Sequence, residues 1–471
     1  DPSELTDQYG VFVSPNGQPH TDGNHVRPAL TIQDGIDLAK RVGKRVYVCA
    51  GTFHEQITIA DSISIIGGLD CTNNDWTVGK PGSRTRIEAP SSPAVTATKI
   101  TSPTRLEGLD IVAPDAHSPS GSSIALLADH AGALTVASSK LTAGNAAKGD
   151  DGKDGIQLAN APTVHGGPGW DDVNCTAGAG CNHNPIRIGL WLASPRAPHG
   201  ENVCVGAAGF VGEAGGYGGS GGLYQIEQPD GIVSRPVYYL HMTQYGSEPG
   251  DHTRTSAAGS DGSDGANAPS DIALSAAGFT AVSGSAGKNG APGSGGRGGD
   301  GFGSTTNDPL VGDVWTGWSG AGGGAGGCPG LAGGEGKGGG ASIAAVLVES
   351  PVSFDAVELL SNRGGAGGLG AFGSAPTTGG APGYNTQPSL LPMRNGQPGG
   401  RGGLAGASGN GANGPSLGIA YVGTKPVVSA DTKVTPGDGG AAIPARSRTT
   451  LGITKTIPAS PAGISKDIVG L

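Results

Sequence analysis

Three patterns of hydrophobic and polar positions follow one another along the chain. Near the N-terminus, Pro28–Val42 carries Ile32, Ile36 and Ala39 at i, i+4 and i+7 with Leu38 beside that stripe, which predicts one amphipathic helix. Around it lie short runs that alternate or are β-branched: Gly10–Pro15, Arg45–Cys49, Glu55–Ile59, Ser62–Ile66, Ser83–Ile87 and Thr104–Ile111. Turn residues separate them, so they read as strands. From residue 121 a strand–turn–strand pattern repeats. Ser122–Asn145, Ala341–Gly364 and Pro415–Asp438 align without gaps: Ser123, Ser342 and Ser416 match, as do Ile124, Ile343 and Leu417, and then Leu141, Leu360 and Val434. Ile186–Gly206 and Ser270–Gly284 look like weaker copies.

The third pattern is glycine at every third position. Gly324, Gly327, Gly330, Gly333, Gly336 and Gly339 hold this phase, and so do Gly206–Gly221, Gly259–Gly265, Gly284–Gly299, Gly364–Gly373 and Gly400–Gly409. Helices and strands repeat at 3.6 and 2 residues. A period of three belongs to the extended polyproline-II helix, which has no internal hydrogen bonds and must satisfy its backbone through neighbours or water. Glycine at each third residue would let such helices pack closely enough to bond one another. The expected geometry is a set of excursions, each leaving along one tract and returning along another: 144–185, 206–268, 284–339 and 364–414. The tract at 320–340 should lie beside Gly284–Gly299 and run the opposite way.

The stretch VYVCAGTFHEQITIADSISIIGG, with Val48, Gly51, Phe53 and Glu55 in a V-x-x-G-x-Y/F-x-E turn, resembles the first coils of right-handed parallel β-helix proteins of the pectin-lyase-like superfamily. The resemblance covers roughly residues 10–115. The glycine periodicity resembles that of snow-flea-type antifreeze proteins and the tail-tip adhesins of some bacteriophages, over about a third of the chain. Together these imply an all-β fold: a right-handed parallel β-helix with an inserted bundle of polyglycine-II helices, and little α-helix apart from an N-terminal cap. Residues 1–120 would form the N-terminal region with its capping helix, 121–440 the coils alternating with glycine-rich excursions, and 441–471 a C-terminal tail. Cys49 and Cys71 lie about one β-helix coil apart, so stacked coils would join them in a disulfide.

Composition sharpens this picture. Of 471 residues 91 are Gly and only 34 Pro, with 14% charged and 4% aromatic, which disfavours both an average globular domain and collagen. Phase-keeping tracts and paired cysteines argue against disorder. The net charge of −10 without basic runs makes nucleic acid an improbable partner. No apolar run is long enough for a transmembrane helix. The remaining cysteines, Cys175, Cys181, Cys204 and Cys328, allow three pairings, of which Cys175–Cys181 with Cys204–Cys328 is favoured. Disulfides, together with a chain beginning at Asp1, suit an exported protein outside the cell or on its outer surface.

Aromatic residues cluster in the connections between tracts: Trp170, Trp191, Tyr224, Tyr238, Tyr239, Tyr245, Trp315, Trp318 and Tyr384. They are the candidate binding residues, reading either as a recognition surface for an extracellular glycan or surface protein or as a small core capping the bundle. No catalytic set is expected. Asp110, Glu107 and Arg105 are the acid and base candidates that the β-helix resemblance implies for cleavage of uronate polymers, but Asp110 reads as a solvated strand residue. No cofactor is expected. Asp150, Asp151 and Asp154 are candidate calcium oxygens that lack EF-hand spacing. The expected role is therefore non-enzymatic display of binding loops for adhesion or surface recognition. Its alternatives are a filament or matrix component built from copies of itself, a polysaccharide lyase or esterase, and an ice-binding protein.

Overall fold

The fold was analysed in a computed structural model that describes the chain apart from residues 1–3, 73–75, 81–82, 170–173, 176–190, 193–195, 220–222, 228–240, 246–248, 302–305, 308–312, 316–318 and 385–394. For residues 174–175, 191–192, 223–227, 241–245, 306–307 and 313–315 it describes strand pairing alone. The fold is mostly β. The helix α1 (Ile32–Val42) starts at Thr31, whose hydroxyl accepts from the Asp34 N–H, and stops at Gly43 in a left-handed conformation (φ 66°). Glu55, the last residue of the V-x-x-G-x-F-x-E turn, sits over the start of α1. Its carboxylate accepts the N–H groups of Ile32 (2.7 Å) and Gln33 (3.0 Å), which have no partner inside the helix.

Three large sheets stack the remaining N-terminal segments and the three repeats, every strand pairing in parallel. The first sheet runs Gly10–Gln18, Arg45–Cys49, Ile65–Leu69, Thr104–Glu107, Leu134–Ala137, Ser353–Asp355 and Val427–Val428. The second runs Ser465–Gly470, Ser416–Val422, Ser342–Val348, Ser123–Asp129, Val95–Thr98 and Ile57–Ile59. The third runs Lys433–Thr435, Glu358–Leu360, Lys140–Thr142, Leu109–Val112, Thr85–Glu88 and Gly51–Phe53. From Arg45 the chain visits first, third and second sheet in turn, again and again. Alternation sends one side of each strand inward: Ile57 and Ile59 are buried while Thr58 is exposed, and Thr85 and Ile87 are buried between half-exposed neighbours. These inward residues form one continuous core with Ile32, Ile36 and Ala39 of α1 at its end.

The serine repeat is in register as expected, Ser123 opposite Ser342 and Ser342 opposite Ser416. The gap-free alignment then slips by one. Leu141 faces Leu359, and Leu359 faces Val434, so Leu360 is displaced from its expected place. The middle unit is one residue shorter than its neighbours, which each carry an extra turn residue at a different corner. Ser270–Gly284 does not join the stack. Ala273–Ser275 and Gly278–Thr280 pair antiparallel, and Ile272, Leu274 and Phe279 cover the outer apolar face made by Ile124, Leu127, Ile343 and Val346.

All residues from 144 to 341 therefore form one excursion between Lys140–Thr142 of the third sheet and Ser342–Val348 of the second. A second excursion leaves after Glu358–Leu360 and returns at Ser416–Val422 by the same corner. The matching serines line that corner. Ser123 Oγ donates to Pro114 O and accepts from Gly144 N. Ser342 Oγ donates to Gly144 O and accepts from Asn362 N, and Ser416 Oγ donates to Asn362 O. All three serines are fully buried. This column satisfies the backbone where extended tracts leave the sheets. Ser342→Ala would strand the buried Gly144 carbonyl and release the N–H of the more exposed Asn362, and should cost about 1–3 kcal/mol. Chemical denaturation checks it; a loss within error of zero would mean that the column carries no stability.

Within the excursions the glycine tracts run extended and bond to one another in steps of three residues; the expected tract from Gly206 begins only after a turn at Gly206 and Gly209 (φ 121° and 89°) and the short strand Val211–Gly212. Gly284, Gly290, Gly293, Gly296 and Gly299 donate to the carbonyls of Gly336, Gly330, Gly327, Gly324 and Ala321, so the two tracts run antiparallel, as expected. The 320–340 tract is the hub. Gly324, Gly327, Gly330, Gly336 and Gly339 donate to a parallel tract at Gln397, Gly400, Gly403, Gly409 and Ala412. Gly320, Gly323 and Gly326 donate to Gly219, Gly216 and Glu213. Gly334, Lys337 and Gly340 donate to Lys153, Asp150 and Ala147. Residues three apart thus share a neighbour, and adjacent residues address different ones. From Ser319 to Leu331 every residue is buried, by backbone rather than by apolar side chains.

Residues 441–471 are tied to this bundle. The hairpin Arg446–Thr450 with Ile453–Ile457 lies over the tracts, and Ser465–Gly470 then completes the second sheet. Arg448 pairs with Asp154 at 2.6 Å and stacks over Phe372, Lys455 pairs with Asp264 at 3.1 Å, and Asn410 and Asn413 donate to the carbonyls of Pro458 and Pro461.

Candidate binding face at the free end of the glycine tracts

The tracts leave the sheets at one end and stop at the other, and their stopping points converge. Gly320 donates to Gly219 O, Gly219 to Gly299 O, Gly218 to Ala197 O, Gly322 to Gly167 O, Gly383 to Gly322 O and Gly396 to Gly383 O. Gly250 N donates to the Asp300 carboxylate at 2.9 Å. Four connections, spanning roughly 168–196, 220–249, 301–318 and 384–395, therefore start and finish on one small area. Strands from different connections pair there. Asn174–Cys175 pairs with Asp313–Trp315, and that strand with Thr306–Asn307. Trp191–Leu192 pairs with Leu223–Glu227, and that strand with His241–Tyr245.

This register places the candidates Trp191, Tyr224 and Tyr245 in one three-stranded sheet and Trp315 in another. Trp191 is opposite Gln225 and Leu192 opposite Tyr224; Tyr245 is opposite Leu223, and Trp315 opposite Asn174. Tyr384 stands at the end of its tract with 61% of its surface exposed. Trp170, Tyr238, Tyr239 and Trp318 lie outside the described residues, as does Cys181, so the Cys175–Cys181 pairing is outside them too. At the base of this face, Arg254 pairs with Glu213 and lies 3.6 Å from Asp251, and His252 lies 2.8 Å from Asp300. The Asp251 carboxyl is held below its ordinary value, chiefly by hydrogen bonds from the Thr253 hydroxyl and N–H. The ring of His199 meets that of Tyr217 edge-on at 4.0 Å.

Two disulfides fix the frame. Cys49–Cys71 joins neighbouring coils, and Cys204–Cys328 ties the antiparallel pair Asn202–Val203 and Val211–Gly212 to the middle of the hub tract. The second bond sits in its own small core with Leu158 and Leu331, beside the buried Asn202, which donates to Asn160 and to Gly326 O.

The acid and base candidates do not share partners. Arg105 pairs with Glu107 at 2.7 Å on the first sheet, whereas Asp110, on the third, accepts from Arg86 at 2.6 Å. Asp151 and Asp154 each accept a backbone N–H, from Leu369 (2.7 Å) and Phe372 (3.1 Å), and among the described residues no group of three or more His, Cys, Asp or Glu is arranged to hold a metal. Sequence reasoning missed what these acids do. Asp261, Asp264 and Asn267 accept from the N–H groups of Leu404, Ala407 and Asn410, while Gly262 and Gly265 donate to the carbonyls of Leu404 and Ala407. Asp or Asn just before the phased glycine, repeating every three residues, is the signal that could have revealed such an edge. No helix among the described residues is long and apolar enough to cross a membrane.

Comparisons with protein-family models, with curated proteins and with solved structures find no match to this chain.

Proposed function

We propose that this is a non-enzymatic display protein of the cell exterior, in which a right-handed parallel β-helix carries a bundle of polyglycine-II helices, and the connections at the free end of that bundle bind an extracellular glycan or a surface protein. The observation that carries the reading is the convergence of four aromatic-rich connections on one end of a backbone-bonded bundle. Loops held by a rigid scaffold are where recognition concentrates. Here the scaffold's inflexibility lies in its hydrogen bonds, so the connections are free to vary without weakening it. Cyclic parallel strands with insertions at a single corner support the β-helix. Bonds stepping by three to several neighbours support polyglycine-II packing. Two disulfides fit an oxidising compartment.

The test is a glycan and surface-protein array probed with the intact chain and with a variant carrying Ala at Tyr238, Tyr239, Trp315 and Trp318. Binding by the intact chain that disappears in the variant, with melting nearly unchanged, is the expected result. If these residues instead form a local core, the variant loses several kcal/mol, since each aromatic-to-Ala core change costs about 3–5 kcal/mol. Filaments in negative stain would favour a structural assembly, and new reducing ends from a uronate polymer would favour a lyase.

A further inference from the structure

On the first sheet, far from the tract ends, the chain leaves a cleft of about 640 Å³. Its floor is the corner between the first and third sheets, where Gly68 (φ 73°), Gly108 (φ 71°) and Ser138 (φ 44°) take left-handed conformations in successive coils. The backbones of those coils approach closely there: a Cβ on Gly68 would meet Ser83 O at 2.3 Å, and one on Gly108 would meet Gly67 O at 2.6 Å. Small residues are forced, and no long side chain rises from the floor to fill the space above.

The walls are charged, and the charge does not balance. Four cations line the cleft, Arg45, Lys80, Arg84 and Arg105, against two carboxylates, Glu4 and Glu107. Arg45 is matched by Glu4 at 2.6 Å and Arg105 by Glu107 at 2.7 Å. Arg84 has only Glu358, at 3.7 Å, and Lys140 shares that carboxylate at 4.0 Å. Lys80 has no carboxylate within hydrogen-bonded ion-pair distance among the described residues; its charge acts at longer range on Asp70, whose carboxyl is held below its ordinary value first by the Thr72 hydrogen bonds and then by Lys80. Lys80 and Arg84 are therefore the loosely paired cations of the lining, free of the close ion pairs that hold Arg45 and Arg105, in a chain whose net charge is −10. A concave site with more cations than carboxylates in its lining, inside a molecule of opposite net charge, favours anions. Beside Ser83 and Ser138, the lining has an apolar part made by Leu5, Ile66, Leu69 and Val78.

We infer that this cleft binds a small ligand bearing an oxyanion group (sulfate, phosphate or carboxylate), held by Lys80 and Arg84, with its uncharged body against the apolar wall. The volume is that of a small-molecule site and well above one inorganic ion. Guanidinium and ammonium donors suit such oxygens. The site is independent of the tract-end face, and the failure of either reading leaves the other intact.

Calorimetric titration of the full chain at low salt would use one neutral hexose, its sulfated, phosphorylated and carboxylated forms, and inorganic phosphate and sulfate. At least one charged hexose should bind tenfold or more tightly than the neutral one, and weaken as salt is raised. Lys80→Gln with Arg84→Gln should reduce that affinity at least tenfold without moving the melting temperature, and Lys80→Arg should keep it. Equal binding of inorganic ion and charged hexose would reduce the apolar wall to a bystander and overturn the ligand's second half. Charged and neutral hexoses bound alike, or a double variant that binds like the intact chain, would overturn the inference.

Discussion

Gly336→Ala should destabilise the tract bundle by about 3–5 kcal/mol, a size otherwise seen for large-to-small changes in apolar cores. The expectation rests on contact with backbone, not with yielding side chains. A Cβ at Gly336 would lie 2.0 Å from Gly368 O and 2.8 Å from Gly411 N. Three tracts would have to separate, and the bonds there are Gly336 N to Gly409 O (3.0 Å), Gly368 N to Lys337 O (2.7 Å) and Gly411 N to Gly368 O (2.9 Å). Each lost bond is worth about 1 kcal/mol net, and more when its partners stay buried and unpaired. Gly330→Ala meets Ser374 O at 2.4 Å and Ala405 N at 2.9 Å and should behave alike. By chain entropy alone Ala would stabilise an ordered glycine site by about 0.4–1 kcal/mol, so packing must reverse the sign. Ala332→Ser, on a half-exposed residue of the same tract, should stay within about 0.5 kcal/mol. Thermal melts of the three variants, with hydrogen exchange of the tract amides, decide the matter. A Gly336→Ala protein that melts with the parent would mean that the tracts are not closely packed in solution.

Much of this was legible in the sequence because a period of three has one physical use. It announces extended chains whose third residues meet other backbones. The hairpin of Gly284–Gly299 with residues 320–340 could be read from equal glycine counts, and α1 from Ile32, Ile36 and Ala39. Neighbour identity was harder. Every tract has the same glycine phase, so nothing in the hub's own sequence says that it bonds 397–412 rather than 259–265. That choice is made by where the chain leaves the sheets. The single exit corner was hidden because Ser270–Gly284 carries the same alternation as a coil strand, yet folds as a hairpin over the apolar outer face of the second sheet. The one-residue slip at Leu359 was hidden because turn residues were added at different corners of the flanking units, leaving their overall lengths equal. At the candidate face, aromatic clustering marked the connections, but only the pairing of Trp191–Leu192 with Leu223–Glu227 and of Asn174–Cys175 with Asp313–Trp315 joined them.

Removing the Cys204–Cys328 bond should cost more than removing Cys49–Cys71, although the latter joins coils of the main core. In the chain-entropy account a cross-link stabilises by restricting the unfolded chain, and the effect grows with the loop it closes. Cys204 and Cys328 are 124 residues apart, which corresponds to about 5 kcal/mol, against about 3 kcal/mol for the 22 residues between Cys49 and Cys71. Native surroundings push the same way. The longer loop contains the 213–219, 251–268 and 284–299 tracts, which bury little apolar surface and order many glycines, the residue that loses most backbone freedom. Cys328 is wholly buried in the hub tract, where Leu158, Leu331 and Cys204 make one of the few apolar contacts in the bundle. Guanidinium unfolding of the two double-alanine variants should give the lower midpoint to Cys204→Ala with Cys328→Ala. Their hydrogen exchange should also differ in place, with the loss of protection spreading through the tracts in that variant and staying near the first coils in the other. The reverse order of midpoints would mean that the tracts hold together by their hydrogen bonds alone and need no tie across the excursion.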